Sequence, residues 1–178
     1  LDAKIITFNY QIVMKRELIL IRHTKSSWAD LGMDDFDRPL KKDRTGDAKR
    51  MAQKLLELNL QPDLVICSPA LRTRQTVEYF CSTLKISSKT LQFEKRLYES
   101  SANEYLEVIR ETDIQVKSLI VVGHNPSITD FANLFCHPLI EEVPTTGVIW
   151  LTFNSLDWNI DRTTPSSLKC FLTPKMLP

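Results

Sequence analysis

Two of the three histidines in the chain follow directly on apolar runs. Residues 18–21 open into Arg22-His23, and residues 119–122 open into Gly123-His124-Asn125. A third run, Leu64-Val65-Ile66, closes in Cys67-Ser68-Pro69, with Arg72 shortly after. A neutral imidazole can attack phosphorus and become a phosphohistidine, while guanidinium groups hold the non-bridging oxygens and offset the charge of the transition state. Ligands of open α/β sheets bind beyond the carboxyl ends of the strands, so the three exits predict one rim carrying two histidines and two arginines. Helix N-termini after Ser68 and Asn125 would turn backbone N–H groups and positive dipole ends toward that rim, which predicts a site for a phosphoryl anion. A metal centre usually takes three or more His, Cys or carboxylate ligands. Two histidines flanked by arginines, whose charge repels a cation, predict no metal and no other cofactor.

The elements that must position these residues alternate along the chain. Short β-rich runs at 17–21, 63–67, 90–93, 118–122 and 147–153 are separated by helical patterns, the signature of an α/β domain with a mostly parallel sheet. Ala48, Met51, Ala52, Leu55 and Leu56 recur at helical spacing with Arg44, Lys49, Arg50 and Lys54 opposite, which predicts an amphipathic crossover helix. Ser68-Pro69 offers an N-cap and a proline at the first helical position, ahead of the stripe Leu71, Val77, Phe80, Cys81 and Leu84. Ser101 and Glu104 have capping-box spacing before Tyr105, Leu106 and Ile109, and Asn125-Pro126 repeats the cap-plus-proline signal before Ile128, Phe131, Ala132 and Phe135. The polar, turn-rich stretch 154–167 reads as a surface excursion before a last short strand near 168–172.

At 178 residues the chain fits one compact domain. Met14-Lys15-Arg16 reads like a natural start, so residues 1–13 are expected to be an N-terminal extension of uncertain role, either an added strand or an upstream segment with no chemistry assigned to it, and 14–178 a single domain. With 43% hydrophobic and 25% charged residues the composition argues against a disordered or coiled-coil chain. A net charge of +1 lacks the basic excess of a dedicated nucleic-acid binder, so any anion site is local. The apolar runs fall far short of the ~20 residues needed to cross a bilayer, and no membrane association is expected. Cys67, Cys81, Cys136 and Cys170 show no CxxC pairing and no leader precedes them, which predicts a reduced, cytoplasmic setting. Cys67, closing an apolar run, is expected to be a core residue.

The residues also carry a family resemblance. Arg22-His23-Thr24-Lys25-Ser26 resembles the Arg-His-Gly-x-Ser signature of the histidine phosphatase (phosphoglycerate mutase-like) superfamily, with Thr24 in place of the glycine. The stretch from Ser68-Pro69-Ala70-Leu71-Arg72 to Thr76 resembles its second-arginine motif, and Gly123-His124-Asn125-Pro126 its second-histidine motif. Arg38-Pro39-Leu40, Leu97-Tyr98-Glu99-Ser100 and Pro144-Thr145-Thr146 are most similar to the SixA-like branch, the phosphohistidine phosphatases. The resemblance implies a three-layer α/β/α fold, His23 as the phosphorylated nucleophile, and Arg22, Arg72 and His124 binding the phosphoryl group. It further implies that Ser26 contacts phosphate and that Glu99 lies where many relatives place a leaving-group acid.

Taken singly, each residue has a plainer reading. His137 follows an amphipathic helix, where a polar C-terminal residue is ordinary, and is expected to be structural. Arg74 competes with Arg72, and the motif favours Arg72. Glu99 equally fits a helix-entry or salt-bridging carboxylate. Arg38 is expected to pair with Asp34, Asp35 or Asp37 rather than reach the pocket. Trp28, Phe36 and the acidic cluster Asp30, Asp34, Asp35 and Asp37 either wall the site or form a solvated loop. The expected function is a metal-independent phosphatase working through a phosphohistidine enzyme, with phosphohistidine in a protein as the leading substrate. Long insertions that could form a lid are absent, which favours protein-borne phosphate over a sugar phosphate. The alternatives are a broad small-molecule phosphomonoesterase acting on a small phosphorylated compound and a non-catalytic phosphate-binding module on the same fold. A mutase, which must shield its phosphoenzyme from water, is less expected.

Overall fold

The computed structural model describes residues 15–28 and 32–178, so the expected 1–13 extension, Met14 and Asp30 lie outside the described residues. At the centre of the sheet β1 (Lys15–Arg22) pairs in parallel with β4 (Ser118–Gly123) and antiparallel with β5 (Val148–Asn154). β2 (Leu64–Cys67) pairs in parallel with β4 and with β3 (Leu91–Phe93), and β6 (Ser166–Leu172) lies antiparallel to β5. The strand order is β3-β2-β4-β1-β5-β6. Four strands are thus parallel, as the βα alternation predicts, and the last two reverse direction. After the short α4 (Ser127–Ala132) the chain returns along the carboxyl end of β1, where Thr146 bonds to Arg22 and His23, so β5 can only run back down beside it.

Alternation along the strands builds one core on each face. Ile19, Ile21, Val65, Ile120, Val122 and Trp150 meet Ala48, Met51, Ala52 and Leu55 of α1 (Thr45–Glu57) and Val77 and Phe80 of α2 (Leu71–Leu84). On the other face Leu18, Leu20, Leu119, Val121, Ile149 and Leu151 meet Tyr105, Val108 and Ile109 of α3 (Ala102–Arg110) and Ile128, Phe131 and Ala132 of α4. The result is a three-layer α/β/α domain. Leu56, expected in the α1 stripe, is instead 40% exposed. Residues 154–167 are also more than a surface excursion: Trp158 is buried and donates from Nε1 to the Val116 carbonyl at 2.8 Å. The buried Arg16 guanidinium ties that carbonyl (2.6 Å) to the carbonyl of Leu156. Among the described residues no helix is long and apolar enough to cross a membrane.

Helix starts show where local signals yield to the site. The Ser101–Glu104 capping box forms as its spacing predicts. Helix α2, however, begins at Leu71 with Ala70 as an N-cap that makes no side-chain bond. Ser68 cannot cap it, because its N–H donates to Val122 and its hydroxyl is engaged by His124. Likewise α4 starts at Ser127 behind Pro126, while Asn125 accepts from Thr129 Oγ1 and donates to the Val143 carbonyl.

Phe80 is fully buried between α2 and the sheet, whereas Leu139 is 66% exposed. Phe80→Ala is expected to lower the unfolding free energy by about 3–5 kcal/mol, measured by urea denaturation. Leu139→Ala is expected to change it by no more than about 0.5 kcal/mol.

Candidate active site

Backbone bonds bring the strand exits level. Arg22 lies in register with Gly123, and the His23 N–H donates to the Gly123 carbonyl at 3.1 Å. From the other side Thr146, in the left-handed region at φ 63°, donates its N–H to the carbonyls of Arg22 and His23, and Arg22 N–H donates to the Gly147 carbonyl. A Cβ on Gly147 would fall 2.7 Å from the Pro144 carbonyl, so this turn closes only around glycine. Gly123 answers a similar constraint, since a Cβ there would lie 1.8 Å from the hydroxyl of buried Tyr105, which accepts from His124 N–H. Thr24 points inward, fully buried, accepting from Thr146 Oγ1 at 2.9 Å, so replacing glycine adds nothing to the pocket wall.

The two imidazole rings face each other with centroids 5.2 Å apart. His23 Nδ1 lies 2.8 Å from the Thr24 carbonyl. A carbonyl can only accept, so Nδ1 carries the proton and Nε2 keeps its lone pair. Burial lowers the His23 pKa to about 4; the Thr24 bond opposes that shift and the fields of Arg72, Arg22 and Arg38 reinforce it. His124 is lowered to about 3 by burial, then by His23 and Arg72, with Asp35 pulling the other way. Its Nε2 lies 2.8 Å from Ser68 Oγ, and its Nδ1 is buried without a partner. Both rings are neutral at physiological pH.

Three guanidinium groups surround them. Arg22 Nη1 donates to Glu142 Oε1 (2.6 Å) and to the Val143 carbonyl (2.7 Å). Arg72 donates to both the carbonyl (2.5 Å) and the carboxylate (2.9 Å) of Asp35, and Arg38 Nε donates to the other Asp35 oxygen (2.9 Å). The exposed Trp28 ring lies 3.4 Å from the Arg38 guanidinium carbon. Asp35 also accepts from Tyr98 Oη at 2.9 Å. Burial would raise its pKa, but the bond from Tyr98 and the bonds and charges of Arg72 and Arg38 overcome that and hold it below the ordinary value. Tyr98 is pushed up to about 12 by burial and by that same carboxylate.

All the residues anticipated from sequence line one pocket of about 480 Å³: Arg22, His23, Ser26, Arg72, Glu99 and His124. Ser26 is buried there and bridges to Leu40. Glu99 is exposed at the pocket edge, with left-handed backbone at φ 51°. Arg74 turns away, over Phe93, and His137 is exposed outside the pocket. Arg38 pairs with Asp35 as expected and also lines the pocket, which was not. Tyr98 was missed as a site residue, and Asp35 was not singled out from its acidic cluster. From sequence, Asp35 is only one of a cluster that either walls the site or is solvated and one of three possible partners for Arg38, although Arg72 is equally in need of a carboxylate. Cys67 is buried, and burial pushes its thiol well up, so it remains a core group. Among the described residues no three His, Cys, Asp or Glu side chains are gathered as a metal site. What the pocket does offer is polar atoms without partners: the donors Arg22 Nε, Arg38 Nη1 and Arg72 Nε, together with His124 Nδ1, are all buried and unpartnered. Buried donors left without acceptors are costly, and their gathering in one pocket suits the oxygens of a phosphoryl group.

Residues 18–125 match the model of the histidine phosphatase superfamily, branch 1. A chloroplastic protein of Arabidopsis thaliana, itself uncharacterised, is 32% identical over 129 residues, which are 68% of this chain and 59% of that protein. The chain thus spans well under two thirds of that relative. An uncharacterised protein of Mycobacterium tuberculosis is 31% identical over 139 residues, 72% of this chain and 84% of its own. Among solved structures, the protein of Agrobacterium tumefaciens assigned as the phosphohistidine phosphatase SixA superposes with a TM-score of 0.77 at 26% identity, covering 89% of this chain and 98% of that one. The protein histidine phosphatase SixA complexed with tungstate shares the fold at a TM-score of 0.76 and 20% identity, covering 90% and 98%.

Because the pKa values of His23 and His124 are lowered to about 4 and about 3, both rings should keep neutral-form NMR shifts down to about pH 5, whereas titration near 6.5 would contradict the burial argument. The sign for stability follows. Between 6.5 and those lowered values the unfolded chain binds more protons than the folded one, so stability is present above pH 6.5 and declines as pH falls toward 4.

Proposed function

This chain belongs to the histidine phosphatase superfamily, in its SixA-like branch, and from that premise we propose a phosphatase that works through a phosphohistidine enzyme, with phosphohistidine in proteins as its substrate class. The observation that carries the reading is the pairing of an unprotonated His23 Nε2 with unpartnered donors from Arg22, Arg38 and Arg72 in one pocket. In the first step Nε2 forms a bond to phosphorus while the bond to the leaving group breaks. The arginines hold the non-bridging oxygens and take up the charge of the transition state. Water then attacks phosphorus, the bond to Nε2 breaks, and inorganic phosphate leaves with His23 restored. With the Ser68 hydroxyl donating to its Nε2, the neutral His124 carries its proton on Nδ1 and supplies a further donor to the same oxygens in both steps.

The choice of substrate rests on the acids available. An alkoxide leaving group needs a positioned proton, whereas an imidazole can depart already protonated. Asp35 is held ionised by its arginines, and Glu99 is exposed at the pocket edge. That supply of acid suits phosphohistidine better than an alkyl ester. The Agrobacterium relative is named for phosphohistidine, which supports the same choice. The presence of Glu99 in the lining favours, as the second reading, a broad phosphomonoesterase that uses it as leaving-group acid. Four free thiols support a reducing compartment such as the cytoplasm.

The test compares a phosphohistidine peptide with an alkyl phosphate ester, both without added metal. His23→Ala should abolish turnover of both and remove the acid-labile phosphate trapped on the protein. Chelators should change neither rate; inhibition by EDTA relieved by a divalent cation would overturn the mechanism. Glu99→Gln should lower kcat/KM for the ester by about 10²–10⁴-fold and leave the phosphohistidine peptide far less affected. Equal losses on the two would assign Glu99 to binding and remove the argument for phosphohistidine.

A further inference from the structure

A second groove, of about 740 Å³, adjoins the active-site pocket, and Lys25 and Thr145 line both. Lys25 is two residues beyond the nucleophile and is exposed. Farther along, the groove takes Arg44 from the N-cap of α1, Arg50 from the middle of that helix and Lys175 from the 3-10 turn Pro174–Met176. Its two carboxylates are already engaged, Asp47 by Arg50 at 2.8 Å and Glu142 by Arg22 at 2.6 Å. Lys25 and Lys175 have no such partner among the described residues, and Arg44 has only the loose contact with Asp43 at 3.6 Å. In a chain whose net charge is +1, this is a local run of positive charge leading away from the active site. Half-buried Phe171, Pro144, Pro174 and Leu177 give it an apolar floor.

The character of these cations differs from that of the pocket. None of the buried, unpartnered donors belongs to the groove lining. Its cations are exposed and spread over three separate segments, an arrangement suited to carboxylates distributed along an extended chain rather than to one converging phosphate. We propose that this groove binds an acidic polypeptide segment flanking the phosphorylated residue of a protein substrate, guiding that residue past Lys25 and Thr145 to His23. The inference rests on the phosphatase reading and adds to it a recognition surface outside the pocket. Exposed charge pairs of this kind act over about one Debye length, about 8 Å at physiological ionic strength, so the preference should fade with salt.

Arg44→Glu combined with Lys175→Glu reverses two groove charges without touching the pocket. Phosphohistidine peptides with acidic and with neutral flanks provide the comparison, with a small phosphate ester as control. The unmodified chain should prefer the acidic peptide in kcat/KM by about tenfold at low salt, and the double variant should lose that preference while hydrolysing the ester at the original rate. Equal kcat/KM for the two peptides, or an equal loss on the ester, overturns the proposal. An unphosphorylated acidic peptide followed by fluorescence anisotropy tests the groove independently of turnover, and its affinity should also fall in the double variant. Should the ester be hydrolysed but neither phosphohistidine peptide, the substrate reading fails on its own, and unchanged anisotropy in the double variant then overturns the groove as well.

Discussion

Three guanidinium groups crowded around two buried imidazoles repel one another, and most of the site follows from how that repulsion is contained. Asp35 answers two of them, taking Arg72 through carbonyl and carboxylate and Arg38 through its second oxygen. Glu142 answers the third from the opposite side. Neither acid cancels the field entirely, and what remains adds to the burial that keeps both rings unprotonated. The neutral ring that the proposed nucleophile needs and the positive surroundings that the proposed anion site needs are therefore compatible, the first set mainly by burial and the second by the arginines, whose charge also favours the neutral ring. The carboxylates also fix the guanidinium planes, which leaves the remaining N–H groups aimed where the pairs do not reach.

The main chain supplies the other half of that order. His23 is fixed by its own backbone, bonded to Gly123 on one side and Thr146 on the other. Tyr105 fills the space where Gly123 lacks a side chain and reaches His124 N–H. The sheet register thus sets where the two histidine backbones lie, and the bonds to the Thr24 carbonyl and to Ser68 then hold the rings with centroids 5.2 Å apart.

Residues that follow directly on apolar runs were legible before any coordinates: strand ends are visible in the hydrophobic pattern, and the α/β rule places what comes next. Arg22, His23, His124 and Arg72 were found that way. Asp35 and Tyr98 were not, because their partners lie 37 and 63 residues apart in the chain and no local period records such contacts. The antiparallel return of β5 was hidden for a related reason, since strand direction depends on where the preceding loop docks. Helix starts failed where a polar side chain had two possible uses. Ser68 and Asn125 carry good capping chemistry, but tertiary partners took their side chains first.

The start of α2 shows what that competition leaves behind. With Ser68 turned to His124, the first turn has no polar cap, and Ala70 is fully buried, so no capping side chain fits in its place. The Thr73 hydroxyl ties the turn down by donating to the carbonyls of Ser68 and Ala70, but it supplies no acceptor to the N–H groups of that turn. For protein engineering this is a position where stability and turnover pull in opposite directions. A cap usually strengthens a helix by about 0.5–2 kcal/mol, yet any group that satisfied this one would draw on the same dipole end, beside Arg72, that the proposed function assigns to phosphate. A more robust version of this chain would have to be sought elsewhere, in its cores.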